Sequence, residues 1–326
     1  MSITVYSCRQ DETQFLNHFE EKYHLHLNRT DKRLTADTAE LAAGSRAVSI
    51  ITTQVTADVL DALHQNGVEY ISTRTIGYDH IDIEYAKQLG IHVGNVCYSP
   101  NSVADYTIML ILMATRRMKS ILRHAAVQNY SLQGMQGREL PNLTVGIIGT
   151  GRIGRTVITR LTGFGCRILA CDLHENEDVK AFATYTDLDT LLRESDVITL
   201  HMPATKDNYH MIGKDNLAKM KPDAVIVNTG RGSLIDTDAL IDALEHNRIG
   251  GAALDVIENE AGLYYRDLQD QPLSNHDLAL LRSFPNVLVT PHTAFYTDQA
   301  VSDMVENSIR SCLAYEAGEP NPWQVI

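Results

Sequence analysis

Cysteine is sparse and unpaired in this 326-residue sequence. The five cysteines, Cys8, Cys97, Cys166, Cys171 and Cys312, are odd in number, scattered, and form no Cys-x-x-Cys pair. Neither a disulfide framework nor a zinc site is expected, and a reducing compartment fits. Long apolar runs are missing as well. The longest of note, Ile108 to Ala114, falls far short of the roughly 20 residues that cross a bilayer. The first residues meet the polar stretch Arg9-Gln-Asp-Glu12 without a secretory hydrophobic region, so the cytoplasm is the expected location and no membrane partner is implied. Positive charge is in deficit: 28 Lys and Arg stand against 41 Asp and Glu, for a net charge of -13. That balance argues against a nucleic-acid partner, because phosphate binding needs clustered Lys and Arg. A small anion can still be held by one local pocket. No solenoid-type repeat and no low-complexity tract occurs.

What is present is an alternation of short β-branched runs with helical patterns, the mark of parallel sheets with helical crossovers. Strands are expected near Ile3–Tyr6, Ala47–Ile51, Tyr70–Thr73 and His92–Val96, with a helix over Thr56–Asn66 capped by Thr56 and stopped by Gly67. Ser99-Pro100-Asn101 places a capping hydroxyl before a proline at the first helical position, and a long helix is expected to about Lys119. A polar stretch, Gln133 to Asn142, precedes a second series of strands at Thr144–Gly149, Arg167–Cys171, Val197–Leu200, Ala224–Asn228, Gly251–Asp255 and Val287–Thr290. A last helical pattern covers Asp298 to Tyr315. The length exceeds what one hydrophobic core usually holds. Two α/β units joined near residue 100 are therefore expected, and the pattern alone assigns the final helix to neither.

Val145-Gly-Ile-Ile-Gly149-Thr-Gly151-Arg-Ile-Gly154 puts Gly-x-Gly-x-x-Gly straight after a strand, where it opens a helix. Gly149 suits the tight turn, Gly151 lets a pyrophosphate approach the backbone, and Gly154 allows close helix–strand contact. The helix start offers N–H groups and partial positive charge to phosphates. Such a turn alone is weak evidence. Asp172, at the end of the next strand and 23 residues past Gly149, near the usual spacing of about 20, strengthens it as the acid that meets the ribose hydroxyls. The same carboxylate repels a 2′-phosphate, and Leu173 and His174 follow it instead of Arg. NAD is therefore expected over NADP.

Reduction of a 2-keto acid needs an anchor for the carboxylate, polarisation of the carbonyl, and a proton for the new hydroxyl. Arg suits the first two, His the third, and a carboxylate beside the imidazole fixes the ring and favours its cation. Arg231 follows the strand ending at Asn228, Glu260 follows the strand ending at Asp255, and His292 follows Val-Leu-Val-Thr-Pro291. These are positions at the carboxyl edge, where open α/β sheets bind ligands. Singly, Arg231 also reads as a loop cap, Glu260 as one acid of an acidic loop, and His292 as one of 13 histidines.

With these residues the chain resembles the D-isomer-specific 2-hydroxyacid dehydrogenase family nearly end to end. The matching segments are Val145–Gly154, Ser195–Pro203, Met220–Gly232, Gly250–Asp255 and Asn286–Ala294. The resemblance implies that Arg231 binds substrate, His292 donates the proton and Glu260 is its partner. It also implies that Arg152, Ile153, Asp172, Met202, Pro203, Asn208, Thr229, Gly230 and Asp255 line the NAD site along with Gly149, Gly151 and Gly154. Ser72 to Asp82, Asn95 to Pro100 and His292 to Thr297 resemble the D-lactate dehydrogenase branch. That likeness places the backbone N–H groups of Ile76 and Gly77, together with Tyr98 and Tyr296, around the substrate. Ser102 to Met113 is similar to the vancomycin-resistance members of that branch. Two Rossmann- or flavodoxin-like doubly wound domains with a cleft between them are implied. The substrate domain would be residues 1–100 plus 298–326, and the NAD domain 101–297. A homodimer through the helix at 101–119 is implied too. Pyruvate, then 2-ketobutyrate, is the expected substrate. The rivals are a dehydrogenase for bulkier acids such as D-2-hydroxyisocaproate and, from another class, an NAD-sensing corepressor-like module.

Overall fold

The computed structural model describes residues 2–326. It falls into two compact units, one formed by the chain up to Ser99 together with Tyr296–Ile326, the other by Pro100–Phe295. Both are α/β units built on wholly parallel sheets.

In the first unit, β1 (Ser2–Val5), β2 (His26–Arg29), β3 (Ala47–Ile50), β4 (Tyr70–Thr73) and β5 (His92–Gly94) lie in the order β2-β1-β3-β4-β5. This is the flavodoxin-like winding, whose order reverses beside β1. Alternate residues go to opposite faces, as a two-residue period requires. Ala47 joins the core with Ile3, Val5 and Leu16, whereas Val48 and Ile50 join the one with Leu60, Leu63 and Ile71. The helix Asp298–Ala317 belongs to this unit: Val305, Ile309 and Cys312 pack with Ile3, Val5 and Tyr70. Its buried Ser308 hydroxyl bonds Ser49 Oγ at 2.7 Å and Ser72 Oγ at 2.9 Å. Thr297 caps its start by accepting from the Ala300 N–H, and Gly318, at φ +66°, ends it in the left-handed conformation.

The second unit contains β6 (Thr144–Ile148), β7 (Arg167–Cys171), β8 (Thr184–Tyr185), β9 (Val197–Leu200), β10 (Val225–Asn228), β11 (Gly251–Leu254) and β12 (Val287–Val289) in the order β12-β11-β10-β9-β6-β7-β8. The order reverses between β6 and β9, which puts a ligand crevice outside their carboxyl ends. Strand residues again alternate between two buried faces: Ile198 and Ile226 on one, Val197 and Val227 on the other.

Several local expectations need correction. Strands β2 and β8 were not anticipated, because His26-Leu-Asn-Arg29 and Thr184-Tyr185 are short edge segments with little apolar content. The helix expected to reach Lys119 runs only Asn101–Thr115. Arg117 turns left-handed at φ +53°, and a separate helix, Met118–Ala126, follows. Pro100 takes the N-cap position itself and not the first helical one, and the Ser99 N–H donates to Asp303 Oδ2 at 2.8 Å. Thr56 does sit at the helix start, but its hydroxyl donates to Asp58 instead of capping.

Candidate active site

The glycine turn follows β6 directly. Gly149 has φ +92°, and a Cβ there would lie 2.8 Å from the His201 carbonyl carbon, so only glycine fits. A Cβ on Gly154 would strike the Gly149 carbonyl, which fixes how closely the helix Arg152–Leu161 approaches β6. Gly151 differs: a Cβ there would meet nothing within 4 Å, so this glycine borders open space at the helix start. Arg152 and Ile153 form the first turn beyond it, Arg152 exposed and Ile153 packed toward the core.

Asp172, just past β7, takes Thr150 N–H at 2.5 Å and Thr150 Oγ1 at 2.9 Å on Oδ2, and His174 N–H at 3.1 Å on Oδ1. Partial burial works against its charge, but these donors outweigh burial and hold the carboxyl below the usual range. An ionised acid beside an open glycine turn and a helix start fits a dinucleotide with free ribose hydroxyls.

The loops after β9 and β10 adjoin this turn. Met202 N–H lies against Gly149, and Gly230 approaches the Leu200 carbonyl. Asn208 spends its amide on the loop itself, accepting from Thr205 N–H at 2.7 Å and donating to Pro203 O at 2.8 Å. It therefore shapes the segment carrying Met202 and Pro203. Thr229 is buried and pairs with Thr107 Oγ1 at 2.9 Å. Asn228, unremarked in the sequence, accepts Gly230 N–H at 3.0 Å and donates to Arg231 O at 2.8 Å, bracing the turn from both sides.

Arg231, Glu260 and His292 sit on loops after β10, β11 and β12, strands that are neighbours in register. Gly232 makes the first two loops meet, since a Cβ there would collide with the Ile257 carbonyl. Glu260 Oε2 accepts Ile257 N–H at 3.0 Å, and its Oε1 lies 2.5 Å from His292 Nδ1. The carboxylate thus fixes the tautomer and leaves Nε2 as the nitrogen without a partner among the described residues. His292 itself is held at φ +53°. Its N–H donates to Asp255 O at 2.9 Å, and Tyr265 OH donates to its carbonyl at 2.7 Å.

Asp255, read from the sequence as lining the cofactor, is fully buried. Its Oδ1 accepts Thr290 Oγ1 at 2.6 Å and Thr293 N–H at 3.0 Å, and its Oδ2 accepts Ala294 N–H at 2.8 Å. It shapes the loop that presents His292. His201 is the other histidine at a strand end here. Withdrawal from solvent pushes it down to about 3, so its imidazole stays neutral and is a poor proton donor. The guanidinium of Arg231 donates to Gly230 O at 2.9 Å.

In the first unit, the loop after β4 carries Ile76 and Gly77. The carbonyls of Thr75, Ile76 and Gly77 are taken by Val96 N–H, Asn95 Nδ2 and Thr75 Oγ1 at 3.0, 2.7 and 2.6 Å. The N–H groups of Ile76 and Gly77 have no acceptor among the described residues. These two donors are available to an anionic ligand. Tyr98 is half-buried between segments tied to the last helix, where Asn307 Nδ2 donates to Cys97 O at 2.6 Å. Tyr296 is half-exposed with its ring 5.7 Å from the Arg9 guanidinium.

Arg74, which starts this loop, has no local sequence signal for its role. It is 1% exposed and donates to Glu12 Oε1 at 3.1 Å, Ser49 O at 3.2 Å, Ser49 Oγ at 3.0 Å and Tyr6 O at 2.9 Å. A buried guanidinium is tolerated because its donors are nearly all paired.

Residues 108–294 match the family model described as "D-isomer specific 2-hydroxyacid dehydrogenase, NAD binding domain". The chain is 45% identical over 317 residues to a D-specific alpha-keto acid dehydrogenase of Enterococcus faecalis, spanning 97% of each. It is 43% identical over 319 residues to an aromatic 2-oxoacid reductase of Clostridium sporogenes, spanning 97% and 96%. A solved D-lactate dehydrogenase with NAD+ from Lactobacillus jensenii is 32% identical, with a TM-score of 0.87 and full coverage of both chains.

Proposed function

We infer that this chain, which belongs to the D-isomer-specific 2-hydroxyacid dehydrogenase family and is an NAD-dependent oxidoreductase acting on the CH–OH group, reduces pyruvate to D-lactate and takes 2-ketobutyrate next. The observation that carries this reading is the Glu260–His292 pair, with Nδ1 bonded and Nε2 left for a ligand, beside the Arg231 loop in the NAD-binding unit. NADH, when bound at the glycine turn, supplies the hydride for the keto carbon. Arg231 grips the carboxylate through two parallel hydrogen bonds, and its charge draws electron density onto the carbonyl. His292 Nε2 then gives its proton to the carbonyl oxygen, while Glu260 keeps the ring oriented and stabilises its charge. In oxidation the same nitrogen takes the hydroxyl proton. Separately, the Ile76 and Gly77 N–H pair is suited to a carboxylate.

The test is a keto-acid panel followed by NADH absorbance, with the chirality of the product determined. Pyruvate is expected to turn over fastest and to give the D isomer. L-lactate as product would refute the reading. A second reading, a preference for bulkier acids, draws on the aromatic 2-oxoacid reductase among the relatives. Faster use of 2-ketoisocaproate or phenylpyruvate than of pyruvate would favour it, because added carbons probe pocket volume.

Arg231→Lys is expected to lower kcat/KM for pyruvate by about 10- to 100-fold, the worth of one charge-assisted hydrogen bond. NADH affinity should stay as it was. Unchanged efficiency would remove Arg231 as the anchor. Location in the cytoplasm is supported by the five free cysteines. Among the described residues no helix is long and apolar enough to cross a membrane. A homodimer through the helix Asn101–Thr115 is our reading of the assembly, supported by half-exposed Met109 on that helix.

A further inference from the structure

We propose that Tyr185 is a positioning residue of the cofactor site, holding Asp172 through Thr150 in the orientation that favours NAD over its 2′-phosphorylated form. The proposal rests on the reading that Asp172 meets the ribose hydroxyls. Three hydrogen bonds run in one direction toward that carboxylate. Asn176 N–H donates to Tyr185 OH at 2.9 Å, Tyr185 OH donates to Thr150 Oγ1 at 2.8 Å, and Thr150 Oγ1 donates to Asp172 Oδ2 at 2.9 Å.

The direction follows from donor chemistry. A backbone N–H can only donate, so the phenol oxygen accepts there and its own proton goes to Thr150. Thr150 then directs its proton onto the carboxylate. Thr150, the middle link, is 1% exposed, so its hydroxyl is shielded from water. The edge strand β8 exists in the right register for this: its pairing with β7 sets Ala170 opposite Tyr185, two residues before Asp172.

The consequence is a count of acceptor sites. A carboxylate offers about four lone-pair directions. Thr150 fills two on Oδ2 through its N–H and hydroxyl, and His174 N–H fills one on Oδ1. What remains lies on Oδ1, and a ribose hydroxyl must meet it there. Removing the phenol hydroxyl frees the Thr150 rotor, so the carboxylate keeps its two backbone donors but loses the directed hydroxyl that aligns it for NAD. NADPH, which brings a phosphate to that place, gains nothing from the alignment.

The test compares NADH and NADPH binding by calorimetry for Tyr185→Phe, with the melting temperature of each protein measured without ligand. Tyr185→Phe is expected to weaken NADH about three- to tenfold, as loss of one hydrogen bond implies, and NADPH by less than about twofold. Thr150→Ser, which keeps a hydroxyl, should bind NADH like the parent, whereas Thr150→Val should repeat the Tyr185→Phe result. NADH affinity within about twofold of the parent, or equal weakening of both nucleotides, overturns the proposal. Should Tyr185→Phe not fold, the two Thr150 variants decide. Asp172→Ala separates the two levels. If it leaves NADH affinity intact, the ribose reading itself fails. If it weakens NADH while Tyr185→Phe does not, only the positioning role falls.

Discussion

Replacing His292 by Gln is expected to lower turnover of pyruvate by about 10²–10⁴-fold, the usual contribution of a placed general acid. Gln is close in size and can still accept or donate a hydrogen bond, but it has no proton to give at neutral pH. Glu260 would remain braced by the Ile257 N–H at 3.0 Å. The Asp255 contacts to Thr290, Thr293 and Ala294 would keep the loop in place, since none involves the imidazole. NADH binding should therefore change little. Stopped-flow turnover beside nucleotide titration separates the two effects. Near-normal turnover would strip His292 of its role, and a matching loss of NADH affinity would show that the loop had collapsed instead.

The second large effect falls on stability. Arg74→Met fills a similar volume but leaves Glu12, 0% exposed, without its guanidinium. It also removes the guanidinium donor from Tyr6 O and one of two partners from each Ser49 oxygen, which keep Tyr6 N–H and the Ser308 hydroxyl. Breaking a buried ion pair from one side costs about 3–5 kcal/mol. Arg9 softens the loss, with its N–H on Glu12 Oε2 at 3.0 Å and its Nη2 3.6 Å from Oε1, so the lower end of that range is expected. Urea unfolding gives the number. Pairing the change with Glu12→Leu should recover most of the loss, because a buried ion pair is often replaceable as a whole but not by halves. A single variant within about 1 kcal/mol of the parent would mean that the pair is not held as described.

What was legible in the sequence was what short-range chemistry encodes. The glycine turn, Asp172 after the next strand, and three reactive groups after three strand ends all sit in local patterns, and parallel order follows from crossover length. The edges were not legible. His26–Arg29 and Thr184–Tyr185 pair as strands through backbone groups that any residue has. Roles set by distant partners were hidden too. Arg74 and Glu12 are 62 residues apart, and neither segment announces the other. Asp255 shows the reverse problem. The resemblance implies that it lines the cofactor site, while folding brings Thr290, Thr293 and Ala294 onto both its oxygens. Asn208 likewise turns inward onto Thr205 and Pro203. Asp255 thereby supports the loop that carries His292, and Asn208 the segment that carries Met202 and Pro203.

A crystal structure with NAD and oxamate, an unreactive isostere of pyruvate, is the most direct test. His292 Nε2 should lie about 2.6–3.2 Å from the keto-position oxygen, with the Arg231 guanidinium forked onto the ligand's carboxylate. Oxamate bound with either side chain turned away from it would contradict the assignment of acid and anchor.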